Sequence, residues 1–462
     1  MVIEIHILLL NVPSRCGIGG KFVPLGLLYL GSIIERCGHS CELIDPYNED
    51  PNLVEFDNGN YPSIEKAISK IKPDIIAFGG IASSYGRTKK LSNYFYEKYP
   101  EIVQVAGGAL ASVYKLLLTR THIHLVFHGE AERSFPKFLD NEALVNIRGI
   151  SYLSKGEPHR NESAQQIEDL DIIPVPAYHL VNINTYLIDG LFPIMSSRGC
   201  TNACSFCYRH MKGYRQHSVE YVISHIQYLK ETFGITGFLF GDELFNYNKN
   251  WVLELCDRIV LLNIRYGIAG ARINMIDADT LVRLKQTNCE FIYYGQESGS
   301  PTILKEYRKG VSVHENSEIT KLTKSIGIKS IVQLVIGSPS ETQDTINETI
   351  QFLKDCEADE ISVNYLLPFP ETPIWKYVEE NNLIPDVEKY LDEVAERGGT
   401  QIINLTKVPD RIWRTWSFQI TSEWKLYLMR NHPKYLVMYP LIKIIESAYR
   451  TIGYPTILRR IM

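Results

Sequence analysis

The sequence predicts an α/β protein with an N-terminal doubly wound parallel sheet of Rossmann-like type, a partial (β/α)6 barrel and a helical C-terminal segment. Three observations lead to this prediction. Short apolar runs alternate with helical patterns over about the first 140 residues. A second series of such units begins near residue 191. Beyond about residue 385 the pattern becomes helical and aromatic.

A chain of 462 residues is too long for one ordinary core, so the same patterns predict domain boundaries. The predicted segments are 1–145 for the first sheet domain, 146–190 for a linker, 191–385 for the barrel and 386–462 for a helical cap. Prolines punctuate the linker, which disfavours a helix there.

The first domain contains five strand candidates, which are EIHILLLNV, SCELID, DIIAFGG, IVQVAGG and HLVFHGE. Helical spacing separates them in LGLLYLGSIIERCG, IEKAISKI and LSNYFYEKY. A parallel sheet of this kind binds ligands at the carboxyl ends of its strands. Paired glycines stand at those ends, in Gly79-Gly80 and Gly107-Gly108, and would let a ligand approach the backbone closely.

The second series contains six strand candidates, which are PIMSSRGC, GITGFLFGDELF, RYGIAGARIN, CEFIYYGQESG, KSIVQLVIGSPSE and EISVNYLLPFP. Helical patterns such as VEYVISHIQYLKETF lie between them. A barrel carries its chemistry on the carboxyl-end face of its strands. We therefore expect functional residues where these six strands end.

Charge and hydropathy restrict the partners and the location. The formal net charge is -5 and there is no long basic run, so nucleic acid gains no electrostatic support as a partner. The N-terminal stretch carries Glu4 and lacks a basic n-region, which predicts a buried strand rather than a signal peptide. No apolar run reaches the roughly 18 residues of a membrane span. These features predict a cytoplasmic protein.

The cysteines divide into two groups. Nine cysteines are an odd number in a long chain, which argues against a disulfide framework, and six of them are scattered as small core residues would be. The other three, Cys200, Cys204 and Cys207, have the spacing C-x3-C-x2-C directly after the first strand of the second series.

Three closely spaced thiolates can ligate three irons of a cubane 4Fe–4S cluster and leave the fourth iron without a protein ligand. That iron can chelate the amino and carboxylate groups of S-adenosylmethionine. Electron transfer from the cluster then breaks the sulfonium C–S bond and yields a 5′-deoxyadenosyl radical. Two alternatives stay open at this point. One is a structural zinc site with His210 as fourth ligand, and the other is three coincidental buried thiols.

The motif from Ser197 to Cys207 resembles the radical S-adenosylmethionine superfamily, in the branch with an N-terminal cobalamin-binding domain. The resemblance covers roughly residues 1–385 and implies a 4Fe–4S cluster on the three cysteines, with an external electron donor of flavodoxin or ferredoxin type. It also implies an S-adenosylmethionine site made by Phe206, Gly241, Asp242, Glu243, Arg272, Glu297, Gln333 and Ile336.

These S-adenosylmethionine assignments compete with plainer ones. The acidic pair Asp242-Glu243 could be a solvated strand end, and Glu297 an exposed loop residue. Arg272 could serve a surface salt bridge, and the apolar residues around Ile336 could be plain core. The chain also departs from the family at Glu371, where a glycine is common, which bears on the substrate rather than on the cluster.

The first domain resembles cobalamin-binding domains at its strand ends. The resemblance implies a cobalamin site made by Asn11, Pro24, Gly80, Ser83, Ser84, Gly107, Gly108, Gly129 and Glu130. The Asp-x-His-x-x-Gly loop whose histidine ligates cobalt in methionine synthase and mutases does not occur, and His39 is interpreted as structural. The alternative is a flavodoxin-like domain without a ligand.

The two implied cofactors indicate cobalamin-dependent methylation of an unactivated carbon in a small-molecule or lipid-like substrate. The adenosyl radical would remove a hydrogen atom, and methylcobalamin would deliver the methyl group. Cobalamin-linked radical cyclisation, oxidation or C–C coupling is the second hypothesis, and a non-catalytic zinc or cofactor-sensing module is the third. No side chain stands out in the sequence as a catalytic acid or base.

The C-terminal segment 405–462 carries Trp413, Trp416 and Trp424 and a basic end at Arg459-Arg460. It predicts a helical cap on the barrel. The alternative is a helix on a membrane surface, which would give peripheral membrane contact, or a wall for an apolar substrate.

Overall fold

The computed structural model describes residues 4–14, 22–49, 56, 58–209, 211, 213–397 and 401–431. Two largely parallel sheets with their helices make up this part of the chain and confirm the predicted α/β fold class. His210, proposed above as a zinc ligand, and the basic end of the C-terminal segment lie outside the described residues.

The first sheet has seven strands in the order β2-β1-β3-β4-β5-β6-β7. Their bounds are β1 His6–Asn11, β2 Ser40–Ile44, β3 Ile75–Gly79, β4 Val103–Gly107, β5 Leu125–Phe127, β6 Ile150–Ser154 and β7 Glu157–Arg160. Strands β1 to β5 are parallel, whereas β6 and β7 pair antiparallel. The five predicted strands of this domain are all present.

The hairpin of β6 and β7 lies within the segment predicted as a linker and extends the first sheet instead. Lys155 and Gly156 form its two-residue turn with φ values of 52° and 84°. A two-residue turn with both φ values positive matches the twist of the flanking strands and closes a tight hairpin. The sheet domain therefore continues to Arg160.

Helices cover both faces of this sheet. Their bounds are α1 Leu25–Arg36, α2 Pro46–Glu49, α3 Pro62–Ile71, α4 Tyr85–Lys98, α5 Tyr114–Arg120 and α6 Ala131–Leu139. Successive side chains of β1 enter opposite cores, because Ile7 and Leu9 belong to one cluster and Leu8 and Leu10 to another. All four are fully buried, which explains the unbroken apolar run of a doubly covered strand.

The second sheet has six parallel strands in the order β15-β14-β13-β12-β11-β8. Their bounds are β8 Phe192–Ile194, β11 Gly237–Phe240, β12 Arg265–Ala271, β13 Cys289–Glu297, β14 Lys329–Ile336 and β15 Glu360–Tyr365. These are the six predicted strands of the partial barrel. Two short antiparallel strands, β9 Ser197–Arg198 and β10 Arg215–Gln216, bracket the cysteine motif.

The barrel helices are α7 Val219–Phe233, α8 Lys249–Ile259, α9 Ala278–Gln286, α10 Pro301–Glu306, α11 Val313–Ser325 and α12 Gln343–Cys356. Capping residues mark the helix ends, as α7 shows. Ser218 caps α7 by accepting a hydrogen bond from the backbone N–H of Tyr221, and Gly234 ends that helix in the left-handed conformation.

The C-terminal helices are α13 Pro373–Glu380, α14 Val387–Arg397, α15 Asp410–Trp413 and α16 Trp416–Asn431. Lys89 on α4 bonds Glu388 and Asp392 on α14 at 3.0 and 2.7 Å, so α14 joins the two domains. Trp413 and Trp416 are buried in the core beside β14. Among the described helices, none combines the length and the apolar character that crossing a membrane requires.

Candidate functional site

The cysteine motif lies in a loop between β9 and β10 at the carboxyl-end face of the barrel. Gly199 opens this loop with φ of 81°, and a Cβ placed there would stand 2.5 Å from the Gly213 carbonyl oxygen, so only glycine fits. The far side of the loop is anchored at Ser205, whose N–H donates to the Tyr307 carbonyl at 3.1 Å and whose carbonyl accepts from Ile374 N–H at 2.8 Å.

Two of the three thiols interact directly. The hydrogen bond from Cys207 lowers the pKa of Cys204 against the opposing effect of burial, and the nearby Lys309 cation acts in the same direction. The Cys200 Sγ accepts a hydrogen bond from Asn202 Nδ2 at 3.1 Å. Cys200 and Cys207 line one cavity. The loop therefore offers thiolate character beside an open space.

The described residues around the cysteine loop do not form a ready site for a single metal ion. Within the described ranges, no three side chains of His, Cys, Asp or Glu converge on a point that could hold one metal ion. A tetrahedral zinc site requires such convergence. A cubane binds each thiolate at a separate iron, so its cysteines do not need to converge. Three cysteines on one short loop match the three-thiolate ligand set of such a cluster.

Asp242, one of the predicted S-adenosylmethionine residues, positions the entry to the cysteine loop. Its Oδ1 accepts hydrogen bonds from Ser196 N and Oγ at 2.9 and 3.1 Å and from Ser197 N and Oγ, both at 2.5 Å. Burial raises the pKa of Asp242 to about 6. The other oxygen, Oδ2, has no hydrogen-bond partner among the described residues.

The two neighbours of Asp242 differ from it in exposure. Glu243 is exposed, and burial of its carboxyl end together with the charge of Asp242 raises its pKa. Gly241 is also exposed, and its N–H donates to the Ile194 carbonyl at 2.8 Å where β11 ends beside β8. Of the two predicted carboxylates, Glu243 belongs to the more exposed residue, while Asp242 is a buried anchor.

Glu297 is a buried residue at the end of β13 rather than an exposed loop residue. It is 7% exposed and has φ of 68°, and its Oε1 lies 3.0 Å from Lys309 Nζ. The sequence analysis missed Lys309, which belongs to no motif. Burial opposes a positive charge on Lys309, but Glu297 and the Cys204 thiolate raise its pKa, so the side chain is an ammonium.

Arg272 completes a cationic patch near Cys204. Its Nε donates to Asn274 Oδ1 at 2.7 Å and its Nη2 donates to the Lys309 carbonyl. Its Nη1 is buried and has no partner among the described residues. A buried guanidinium N–H without a partner fits a carboxylate ligand. Within the part of the chain that the structure describes, Arg272 forms no salt bridge to a carboxylate.

The two predicted residues on β14 lie on opposite sides of the sheet. Ile336 is buried with Leu334 and Trp413 in the core beneath the outer helices, so its predicted contact with S-adenosylmethionine would have to come from its backbone. Side chains alternate along a strand, and Gln333 is half-buried on the other side. Phe206 packs edge-to-face on Tyr307 with ring centroids 5.0 Å apart and braces the cysteine loop.

A cavity of about 340 Å³ lies at the carboxyl ends of the first sheet. Six of the nine predicted cobalamin residues line it, namely Asn11, Pro24, Gly80, Gly107, Gly108 and Gly129. Gly108 has φ of 74°, and an added Cβ would stand 3.0 Å from the Gly80 carbonyl oxygen. Glycine thus lets two strand-end backbones approach each other closely at the wall of the cavity.

The other three predicted residues do not line this cavity. Ser84 Oγ donates to the Val12 carbonyl at 3.0 Å and fastens the strand-end loop. Ser83 is buried in the same loop, and its Oγ has no hydrogen-bond partner among the described residues. Both oxygens of Glu130 accept hydrogen bonds from Arg198 and Arg215, so its side chain is engaged beside this cavity rather than lining it.

A second cavity, of about 840 Å³, lies between the first domain and the cysteine loop. Gly129 and Met211 line both cavities, so the two spaces adjoin. Met195 and Arg198 of the barrel also line the first cavity. The sequence analysis missed Met195 and Met211, since a methionine near a strand end carries no signal of its own.

Comparison with known proteins agrees with this geometry. The family model of the Radical SAM superfamily matches residues 194–353, and that of the B12 binding domain matches residues 17–139. An uncharacterized methyltransferase, PH0819, from Pyrococcus horikoshii is 30% identical over 395 residues, which cover 82% of this chain and 84% of that protein. The chain belongs to the radical S-adenosylmethionine superfamily, in the branch with a B12-binding domain.

Two further proteins are similar to the chain over most of its length. The anaerobic magnesium-protoporphyrin IX monomethyl ester cyclase of Synechocystis sp. is 25% identical over 452 residues, which cover 93% of this chain and 87% of that protein. The structure of the radical S-adenosylmethionine methyltransferase TsrM from Kitasatospora setae has a TM-score of 0.69 at 18% identity, with coverage of 82% of this chain and 75% of that one. The latter shows a shared fold.

Family membership confirms the prediction of an enzyme that uses a 4Fe–4S cluster, S-adenosylmethionine and cobalamin. The match to the B12 binding domain also favours a cobalamin-binding domain over the alternative of a flavodoxin-like domain without a ligand. The individual site residues, the segment boundaries and the cytoplasmic location stay predictions.

Proposed function

We propose that this radical S-adenosylmethionine enzyme methylates an unactivated carbon of a small polar molecule in the cavity between its two domains. The observation that carries the proposal is that Gly129 and Met211 line both cavities. One cavity lies at the strand ends that bind ligands in this fold, and the other is lined by Cys200 and Cys207. A carbon in the shared region would be within reach of both cofactors.

When bound, the cluster with S-adenosylmethionine supplies a 5′-deoxyadenosyl radical, and cobalamin supplies a methyl group. The residues of the chain bind and orient. Glu243 would accept a hydrogen bond from the methionine amino group, and Arg272 Nη1 would donate to the carboxylate. Gln333 faces the barrel interior and would contact the adenosine. Lys309 would balance the negative charges of Glu297 and the Cys204 thiolate.

The cobalamin site would be the strand-end cavity of the first domain. Gly80, Gly107 and Gly108 bring the backbone against it, and Asn11 and Pro24 close its other side. Ser83 Oγ, buried in the strand-end loop without a partner among the described residues, would donate to a corrin side chain. His39 accepts a hydrogen bond from Ile5 N–H at 3.2 Å, so it is engaged inside the first domain.

The lining of the second cavity favours a polar substrate over a lipid-like one. Arg160 and Glu371 line it as an ion pair with Nη1 and Oε1 2.8 Å apart. Arg209, Ser163 and Gln165 add exposed or half-exposed polar side chains. An apolar substrate would strip water from these groups without replacing their hydrogen bonds.

Labelled methyl groups test the proposal. The anaerobically reconstituted enzyme, with about four irons per chain, is given a reductant and S-adenosylmethionine with a deuterated methyl group. Aqueous and organic small-molecule extracts of the source cells serve as separate substrate pools. We expect 5′-deoxyadenosine and a labelled product in the aqueous pool. The variant C207A should release neither.

Cyclisation is the second candidate, because a cyclase shares 25% identity over almost the whole chain. A cyclising or oxidising enzyme would also release 5′-deoxyadenosine, but no labelled methyl group would enter its product. Label in the organic pool alone would contradict the polar substrate. Reduction by a flavodoxin or ferredoxin in place of the chemical reductant would test the external electron donor.

A further inference from the structure

Four charged side chains form a buried cluster where the two domains meet. Arg198 Nη1 donates to Glu130 Oε1 at 2.9 Å, and Arg198 Nη2 donates to Glu132 Oε1 at 2.7 Å. Arg215 Nη1 donates to Glu130 Oε2 at 2.7 Å. We call Glu130, Glu132, Arg198 and Arg215 the interdomain charge cluster. Two carboxylates of the first domain thus hold two arginines of the barrel.

The interdomain charge cluster is sealed from solvent. The side chains of Glu130, Arg198 and Arg215 are 2%, 6% and 7% exposed. Burial alone would raise the pKa of Glu130, but hydrogen bonds from Arg215, the Ile167 N–H and Arg198 lower it, so the carboxylate is ionised. Removing one member would leave the charges of the others buried and unpaired. Because that is costly, the four side chains hold each other in one arrangement.

The carboxylates and the arginines of the interdomain charge cluster border different cofactor sites. On the first domain, Glu130 follows Gly129, and Glu132 lines the strand-end cavity. On the barrel, Arg198 stands two residues before Cys200 and lines the same cavity. Arg198 also pairs with Arg215 across β9 and β10, the two strands that bracket the cysteine loop. The same four side chains therefore connect the wall of the strand-end cavity to the loop entry.

The loop entry is held from the barrel side by a separate carboxylate. Asp242 fixes Ser196 and Ser197, the two residues before Arg198, through hydrogen bonds to their backbone and hydroxyl groups. Glu130 fixes the next residue from the other domain. The segment before the first cysteine is thus held by Asp242 from the barrel and by Glu130 from the first domain, where Glu132 adds a second contact to Arg198.

We infer that Glu130 is a positioning residue that couples cobalamin binding in the first domain to the geometry of the cluster-binding loop. Coupling between two sites is reciprocal, so an assembled cluster would tighten cobalamin binding, and bound cobalamin would tighten binding of the cluster by the same factor. The inference rests on the two cofactors of the family. It does not depend on methyl transfer.

The test measures the affinity of the full chain for hydroxocobalamin by anaerobic equilibrium dialysis, once with the cluster reconstituted and once with iron removed by a chelator. For the native sequence we expect the ratio of the two dissociation constants to lie in the range of about 5 to 150. In Glu130→Gln the ratio should fall towards one. In the reciprocal measurement, cobalamin should slow iron loss to a chelator in the native protein and not in the variant.

Glu220→Gln is the matched control. Glu220 on α7 forms an exposed ion pair with Arg258 at 2.7 Å, and the variant removes that carboxylate. It should keep the native ratio. Glu132→Gln removes a single contact of Arg198 and should give an intermediate ratio, which keeps the test open if Glu130→Gln does not fold. A purely structural cluster would lower the melting temperature of these variants and leave their ratio native.

That outcome, or a ratio of one in the native protein, would overturn the inference. Failure of the methylation proposal is separable, since an enzyme that shows the coupling can still put no labelled methyl group into a product.

Discussion

Lys309 Nζ lies 3.0 Å from Glu297 Oε1, and both side chains are about nine-tenths buried beside the cysteine loop. The two residues come from β13 and from the loop after α10, which brings them together at the carboxyl-end face. A buried pair of this kind makes the barrel mouth sensitive to the loss of either charge.

Loss of one partner of this pair should be costly. Lys309→Met should lower the free energy of unfolding of the barrel by about 3–5 kcal/mol, because Glu297 keeps a buried charge without a partner. The double variant Glu297→Gln/Lys309→Met should recover most of that loss. Denaturant unfolding of the iron-free chain measures both. Equal loss in the single and the double variant would show that the pair is not coupled.

Gly108→Ala should weaken cobalamin binding, because the new Cβ would stand 3.0 Å from the Gly80 carbonyl oxygen at the wall of the strand-end cavity. Gly38 is the matched control, since it has a similar φ of 82° with nothing within 4 Å of its added Cβ. Both alanines should cost about 1–2 kcal/mol of backbone strain. Only Gly108→Ala should also lower the affinity for hydroxocobalamin, and an equal affinity in the two variants would contradict the assigned site.

Glu341 should make stability depend on pH. Burial raises its pKa to about 7, although Gly337 N–H and Ser338 N–H donate to its carboxylate. A folded-state pKa above the unfolded value favours the protonated carboxyl, so this contribution is complete at low pH and is lost as the pH rises from about 4.5 to about 7. The loss amounts to roughly 3 kcal/mol.

Glu341→Gln should remove that dependence, since a neutral amide keeps an acceptor for the two N–H groups. The measurement is the difference in unfolding free energy between the native protein and the variant at several pH values, which cancels the titration of other groups. The variant should become relatively more stable as the pH rises. A constant difference from pH 4.5 to 7 would mean that the carboxyl titrates normally.

Glu371→Gly should separate radical formation from product formation. Glu371 adopts φ of 67°, so glycine relieves strain there while it removes the partner of Arg160 in the second cavity. We expect 5′-deoxyadenosine release to continue while labelled product falls by about tenfold, a change of about 1.4 kcal/mol in transition-state binding. Unchanged product yield would show that the substrate does not contact this pair.

The element types were predictable because they depend on short-range patterns. Apolar runs such as the one from Ile7 to Leu10 identified the strands, and the spacing of the three cysteines identified the loop after the first barrel strand. The burial of the Ile336 side chain against the outer helices was not predictable, because β14 is largely apolar on both faces and the sequence does not show which side faces the interior.

Long-range pairs were not predictable. Glu130 looked like a ligand residue because it follows Gly129, but its partner Arg198 lies 68 residues later in another domain. Lys309 is a lone lysine in a polar segment, and only the folded barrel brings it to Glu297. The β6–β7 hairpin was assigned to a linker because four- and five-residue strands carry little periodicity.

The account depends on the two cofactors facing one shared cavity at Gly129 and Met211. Electron paramagnetic resonance of the enzyme loaded with cob(II)alamin and a reduced cluster measures this directly. The account predicts a magnetic interaction between the two centres that broadens both spectra and speeds their relaxation, compared with samples holding one paramagnetic centre. Spectra that are the simple sum of the two isolated centres would contradict it.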